Sequence, residues 1–93
     1  METAKPVTVY WRPGCGFCAA LFMRLDEAGI AHDLVNIWED DDARTFVRSV
    51  ANGNETVPTV TVGTEAFVNP SVQEVQRALD GKRARGIFSR RRN

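Results

Sequence analysis

Val7-Thr8-Val9-Tyr10-Trp11-Arg12-Pro13-Gly14-Cys15-Gly16-Phe17-Cys18 is the stretch on which the rest of the chain turns. Its first five residues are rich in β-branched and aromatic side chains and read as a strand. Pro13-Gly14 breaks that strand, and Ala19-Ala20-Leu21-Phe22-Met23-Arg24-Leu25 after it reads as a helix. The chain's two cysteines therefore fall at a strand-to-helix turn, with Cys18 one helical turn beyond Cys15. That placement suits thiol redox chemistry. Only a thiolate attacks a disulfide, and a free cysteine is mostly protonated at neutral pH. The unpartnered N–H groups at a helix start favour an anion, and Arg12 adds a fixed positive charge upstream. Cys15 is the expected nucleophile and Cys18, further into the helix, the more shielded resolving thiol.

Two other uses of a Cys-x-x-Cys pair are weaker. Structural zinc wants four ligands, and the chain offers only these cysteines and one histidine, His32, so no metal site is expected. A structural disulfide would close a four-residue ring, which constrains little of the unfolded chain. Nothing in the sequence ties His32 to the cysteines; it falls beyond the far end of the first helix.

Ninety-three residues with 43% apolar and 26% charged side chains make one small domain of ordinary globular composition, neither fibrous nor disordered. No apolar run approaches the ~20 residues of a membrane span, and no signal-peptide core follows Met1-Glu2-Thr3-Ala4-Lys5. A cytoplasmic location is expected, where reductants keep a Cys-x-x-Cys cycling. The formal net charge of zero is uneven: residues 1–80 hold six basic residues against all twelve acidic ones, a formal −6, and residues 81–93 hold the other six basic ones. Residues 1–81 read as the domain and residues 82–93 as a basic, flexible tail with no specific nucleic-acid or membrane role assigned.

Along the chain, Cys18, Leu21, Phe22, Leu25 and Ala28 form one apolar stripe, and Gly29 stops the helix. Leu34 to Ile37 reads as a second strand, parallel to the first because a strand, helix and strand follow within ~30 residues. Trp38-Glu39-Asp40-Asp41-Asp42 reads as the acidic start of a second helix, with Ala43, Phe46, Val47 and Val50 as its stripe. Thr56 to Val62 is a third strand entered through Pro58, and Gly63-Thr64 turns it into a fourth, Glu65 to Val68. Asn69-Pro70-Ser71 opens a third helix with Asn69 as cap, Val72, Val75 and Leu79 as its stripe and Gly81 as its end. The order is β-α-β-α-β-β-α.

This order, with Cys15-Gly16-Phe17-Cys18, Thr56-Val57-Pro58-Thr59-Val60 and Asn69-Pro70-Ser71 ahead of Glu74-Val75, resembles the glutaredoxin family, and within it most nearly the actinobacterial mycoredoxins. The resemblance covers about residues 5–81. It implies an α/β thioredoxin-like fold of glutaredoxin type, a four-stranded mixed sheet flanked by three helices. It implies thiol–disulfide exchange with no tightly bound cofactor, with mycothiol or glutathione as co-substrate and thiolated or disulfide-bonded proteins as substrates. A flavin reductase is a candidate electron source, and a monomer is expected.

The resemblance also implies a cis Val57-Pro58 bond facing the reactive sulfur, with the Val57 backbone pairing with the cysteine of a bound thiol like an added strand. Asn69 and Ser71 at the third helix would hold polar groups of the same ligand, and Arg12 and the aromatic Phe17 would flank it. Phe17 is equally readable as an ordinary half-buried residue. Glutathione-using members carry a Gly-Gly-x-Asp-like turn where this chain has Asn69-Pro70-Ser71, and Pro70 removes an N–H donor. That favours a less charged thiol such as mycothiol, a cysteine on a sugar scaffold. Two alternatives stay open: a dithiol donor recharged by thioredoxin reductase, of the kind serving ribonucleotide reductase, and an iron–sulfur carrier, since Cys-Gly-Phe-Cys is close to the Cys-Gly-Phe-Ser of monothiol glutaredoxins.

Overall fold

The computed structural model describes residues 6–81, so the expectations for the basic tail and the domain boundary lie outside the described residues. Its strands are β1 (Val7–Trp11), β2 (Asp33–Asn36), β3 (Thr59–Val62) and β4 (Glu65–Val68). The helices are α1 (Gly16–Glu27), α2 (Asp41–Val50) and α3 (residues 72–81). The strands form one mixed sheet in the order β2-β1-β3-β4. β1 runs parallel to β2, with Trp11 beside Asn36, and antiparallel to β3, with Tyr10 beside Thr59. β3 and β4 make the expected hairpin, and Gly63 supplies the positive φ of 62° that its turn requires.

Strand alternation sorts the core onto two faces. Val7, Val9, Val60 and Val62 point to one side, where Leu21 and Leu25 of α1 and Val75 and Leu79 of α3 cover them. Tyr10 and Val35 point to the other, against Ile37 and the Ala43, Phe46 and Val47 stripe of α2. Leu25 is fully buried, a contribution of about 2 kcal/mol in area removed from water.

Five expectations need correcting. Ile37 leaves β2 and opens a 3-10 turn over Ile37–Glu39, because its side chain is fully buried under α2 and the chain must bend to bury it. In the stripes, Ala28 is exposed and Ile30 takes its place in the core, carried there by the left-handed Gly29 (φ 71°) and an Ile30 N–H to Leu25 carbonyl bond of 2.9 Å. On α2, Val50 is exposed and Ala51 buried, since the helix ends at Val50. The third strand begins only at Thr59, after the cis Val57-Pro58 bond; Pro58 has no N–H to give the ladder.

The last correction concerns α3. Its cap is Ser71: Ser71 Oγ accepts from the Glu74 N–H at 3.1 Å, and Glu74 Oε1 accepts from the Ser71 N–H at 2.9 Å, a reciprocal capping box. Asn69 instead adopts a left-handed φ of 51° and donates its N–H to the Pro58 carbonyl at 2.7 Å. The pattern Asn-Pro-Ser-x-x-Glu held both signals, and the Ser-x-x-Glu pair is the one satisfied.

Candidate active site

The cysteines sit where β1 hands over to α1. Cys15 is the N-cap of α1 with extended backbone, and its sulfur does what a serine oxygen does at that position: it accepts the Cys18 N–H, at 3.2 Å. Cys15 is half-buried, and its thiol reaches the Val57 carbonyl oxygen at 3.8 Å, across forty-two residues of sequence.

Cys18 lies one turn inward and is 1% exposed. Burial pushes its thiol up from 9.0 to about 12, reinforced by the hydrogen bond and charge of Cys15, while the Arg12 backbone and guanidinium pull the other way. The two sulfurs are thus unequal neighbours. One is half-buried at a helix start, and the other is sealed beneath it and held protonated.

The β3 side of the site is built from the segment after α2. Arg48 grips Glu55 with two bonds, Nε at 3.1 Å and a terminal nitrogen at 2.9 Å to the same oxygen, while the Gly53 N–H donates to the Arg48 carbonyl at 2.8 Å. Thr59 Oγ, buried, donates to the Thr56 carbonyl at 2.9 Å. These bonds tie down both ends of the turn that presents Val57 to Cys15. Pro58 is buried, and the bond from Asn69 to its carbonyl brings the start of α3 alongside.

Cys15, Cys18, Val57, Pro58 and Asn69 therefore converge. Phe17 is 73% exposed beside the cysteine pair, which discards the reading of it as an ordinary half-buried residue. Ser71 is nearby in sequence, but its N–H and hydroxyl are engaged with Glu74. Arg12 lies on the β2 side, its guanidinium 5.9 Å from the centre of the Trp38 ring. Trp38, read from the sequence as part of an acidic helix start, lies instead in the 3-10 turn ahead of α2; its only sequence signal is an aromatic residue just past the end of a strand parallel to β1. His32 is remote from this group, its ring bonded to the Ile30 carbonyl at 2.8 Å.

Comparison with known proteins agrees with this geometry. The family model described as Glutaredoxin matches residues 7–68. A Mycobacterium tuberculosis protein provisionally called a glutaredoxin is 40% identical over 74 residues, covering 78% of this chain and 88% of the relative. Mycoredoxin 1 of Corynebacterium glutamicum is 41% identical over 71 residues, covering 74% of this chain and 86% of the relative. Among solved structures, a buckwheat glutaredoxin–glutathione complex superposes with a TM-score of 0.61 at 26% identity, over 84% of this chain and 72% of that one. In β1 running into a capped Cys-x-x-Cys, a cis-proline turn facing it and a closing hairpin and helix, the chain is a thioredoxin-like thiol–disulfide oxidoreductase and belongs to the glutaredoxin family.

Proposed function

We propose that this protein reduces mixed disulfides between proteins and a low-molecular-weight thiol, with mycothiol as that thiol. The Cys15 sulfur attacks the small-thiol sulfur of the mixed disulfide. A Cys15–thiol disulfide forms, the bond to the protein breaks, and the protein thiolate leaves and takes up a proton. A second molecule of the thiol then attacks, releasing Cys15 and a symmetrical small-molecule disulfide. Alternatively Cys18, once deprotonated, attacks Cys15, expels the small thiol and leaves a Cys15–Cys18 disulfide that needs two electrons from a reductase. Arg12, Phe17, Val57, Pro58 and Asn69 would border the bound thiol. The reaction belongs in the cytoplasm, with a flavin reductase upstream and a monomeric protein.

The observation that carries the division of labour is the pair of unequal sulfurs, one capping α1 and one sealed and protonated. The choice of thiol is supported by the start of α3. Pro70 has no N–H to offer, and the Ser71 N–H is already taken by the chain's own Glu74 carboxylate. A ligand carboxylate of the kind glutathione carries would meet a filled anion seat there, whereas an uncharged thiol conjugate would not. Similarity to Mycoredoxin 1 points the same way.

The test is NADPH consumption with a mixed-disulfide substrate, supplying electrons either through mycothiol and its reductase or through thioredoxin reductase. Turnover is expected with the first. Turnover only with the second would overturn the assignment of the thiol and favour a dithiol donor.

A further inference from the structure

Trp38 has no part in the chemistry above, and more than half of its surface, 56%, is open to solvent. Single exposed aromatics are ordinary on protein surfaces, but this one is held out by its surroundings. The Trp38 N–H donates to Asn36 Oδ1 at 2.9 Å, and Arg44 donates to the Ile37 carbonyl at 3.3 Å. Ile37, the residue before it, is fully buried. The backbone is fixed on both sides, and the indole is directed outward.

Its position is set by the sheet. β1 and β2 are parallel and in register to Trp11 and Asn36, so the residues just beyond them, Arg12 and Trp38, emerge at the same end, where ligands of open parallel sheets bind. Arg12 is three residues before Cys15, and its guanidinium faces the Trp38 ring. The cluster that buries Ile37 also seats Val57, whose carbonyl touches Cys15. A thiol conjugate whose cysteine lies along Val57 and bonds Cys15 can extend its remaining scaffold past Arg12 and onto the indole.

We infer that Trp38, with Arg12 stacked on it, is a subsite for the uncharged sugar portion of the low-molecular-weight thiol, an inference that rests on the thiol-exchange function proposed above. A pyranose ring presents a face of C–H groups to an indole and a rim of hydroxyls to a guanidinium, which has five N–H donors. One of these, on Arg12, is used within the chain, at 3.2 Å from the Pro13 carbonyl.

The experiment compares two mixed disulfides of one peptide, one with mycothiol and one with N-acetylcysteine, which lacks the sugar. Both are measured with wild type, Trp38→Ala and Trp38→Phe, and the readout is the ratio of the two kcat/KM values. Trp38→Ala is expected to lower the wild-type preference for the sugar-bearing substrate about tenfold, mainly through KM, and Trp38→Phe to recover most of it. An unchanged ratio in Trp38→Ala, with wild type active on the mycothiol substrate, overturns the subsite alone. Wild type inactive on the mycothiol substrate but active with N-acetylcysteine overturns the choice of thiol, and the subsite with it.

Discussion

Cys18 should be nearly silent to alkylating reagents even when it is the only thiol in the protein. In Cys15→Ser the serine oxygen can take over the helix cap, so the backbone that buries Cys18 stays in place. Burial is the largest cause of the Cys18 rise from 9.0 to about 12, and it survives the substitution, whereas the contribution of the Cys15 sulfur is removed. At pH 8 a thiol of pKa 9.0 is about 10% thiolate and one of about 12 only about 0.01%, a thousandfold difference from three pH units. With the sulfur 1% exposed, reagent access lowers the rate further. The assay is iodoacetamide labelling of Cys15→Ser across pH 7 to pH 11 (roughly the span that brackets the free-thiol value), followed by intact mass, with Cys18→Ser reporting on Cys15. Cys18 is expected to label more than about tenfold more slowly than Cys15 at pH 8, because burial, the largest cause of its rise, remains in the variant. A labelling midpoint for Cys18 near 9.0, or rates within about tenfold of each other, would refute the argument that burial divides the roles of the two sulfurs.

Three further outcomes follow from the same geometry. Stability of the reduced protein should fall as pH rises from 9.0 towards about 12, because the unfolded Cys18 loses its proton in that window and the folded one keeps it; Cys18→Ala should flatten this part of a urea-denaturation pH profile. Ser71→Ala should cost about 1 kcal/mol by removing the cap of α3, while Asn69→Gly, which keeps the left-handed backbone there, leaves that cap intact, as thermal melts of the two variants would show. Glu55→Ala, at a pair whose side chains are 43% and 40% exposed, should cost only about 0.5 kcal/mol of stability. It should also raise KM for a mixed disulfide about threefold, as the turn holding Val57 loosens, with kcat little changed in steady-state assays.

The parts of this structure that repeat a short-range pattern could be read directly. β1, the Cys15 turn and α1 announce themselves by a β-branched run, a Pro-Gly break and a helical stripe, and each is found where the pattern puts it. The misreadings occur where tertiary burial competes with local preference. Ile37 suits a strand but is drawn into a 3-10 turn by the pocket under α2, and Ile30 enters the core two residues after the helical stripe has ended. At α3 two capping signals overlap within three residues, and only the partner three positions on, Glu74, decides between them. In the site, the two cysteines were legible from spacing, and the facing of Val57 came from family resemblance. The Arg12–Trp38 pair was not visible, because it depends on register between two strands that lie far apart in sequence.

The first turn of α1 is closed by a sulfur, and this has a thermodynamic consequence. An ordinary capping oxygen keeps its bonding throughout a protein's working life. Here the capping atom is the one proposed to change partners at each turnover. A reduced sulfur is a better acceptor for the Cys18 N–H than a disulfide sulfur, so oxidation slackens the start of the helix and reduction tightens it. Around the closed cycle of folding and reduction, whatever stability the reduced cap gives α1 reappears as an equal preference for the reduced state. Substitutions that firm up the helix start only when the sulfur is reduced would make the protein a stronger oxidant, and those that let it fray would make it a stronger reductant. How firmly α1 begins and which way electrons run through the protein are one free energy, read at two places.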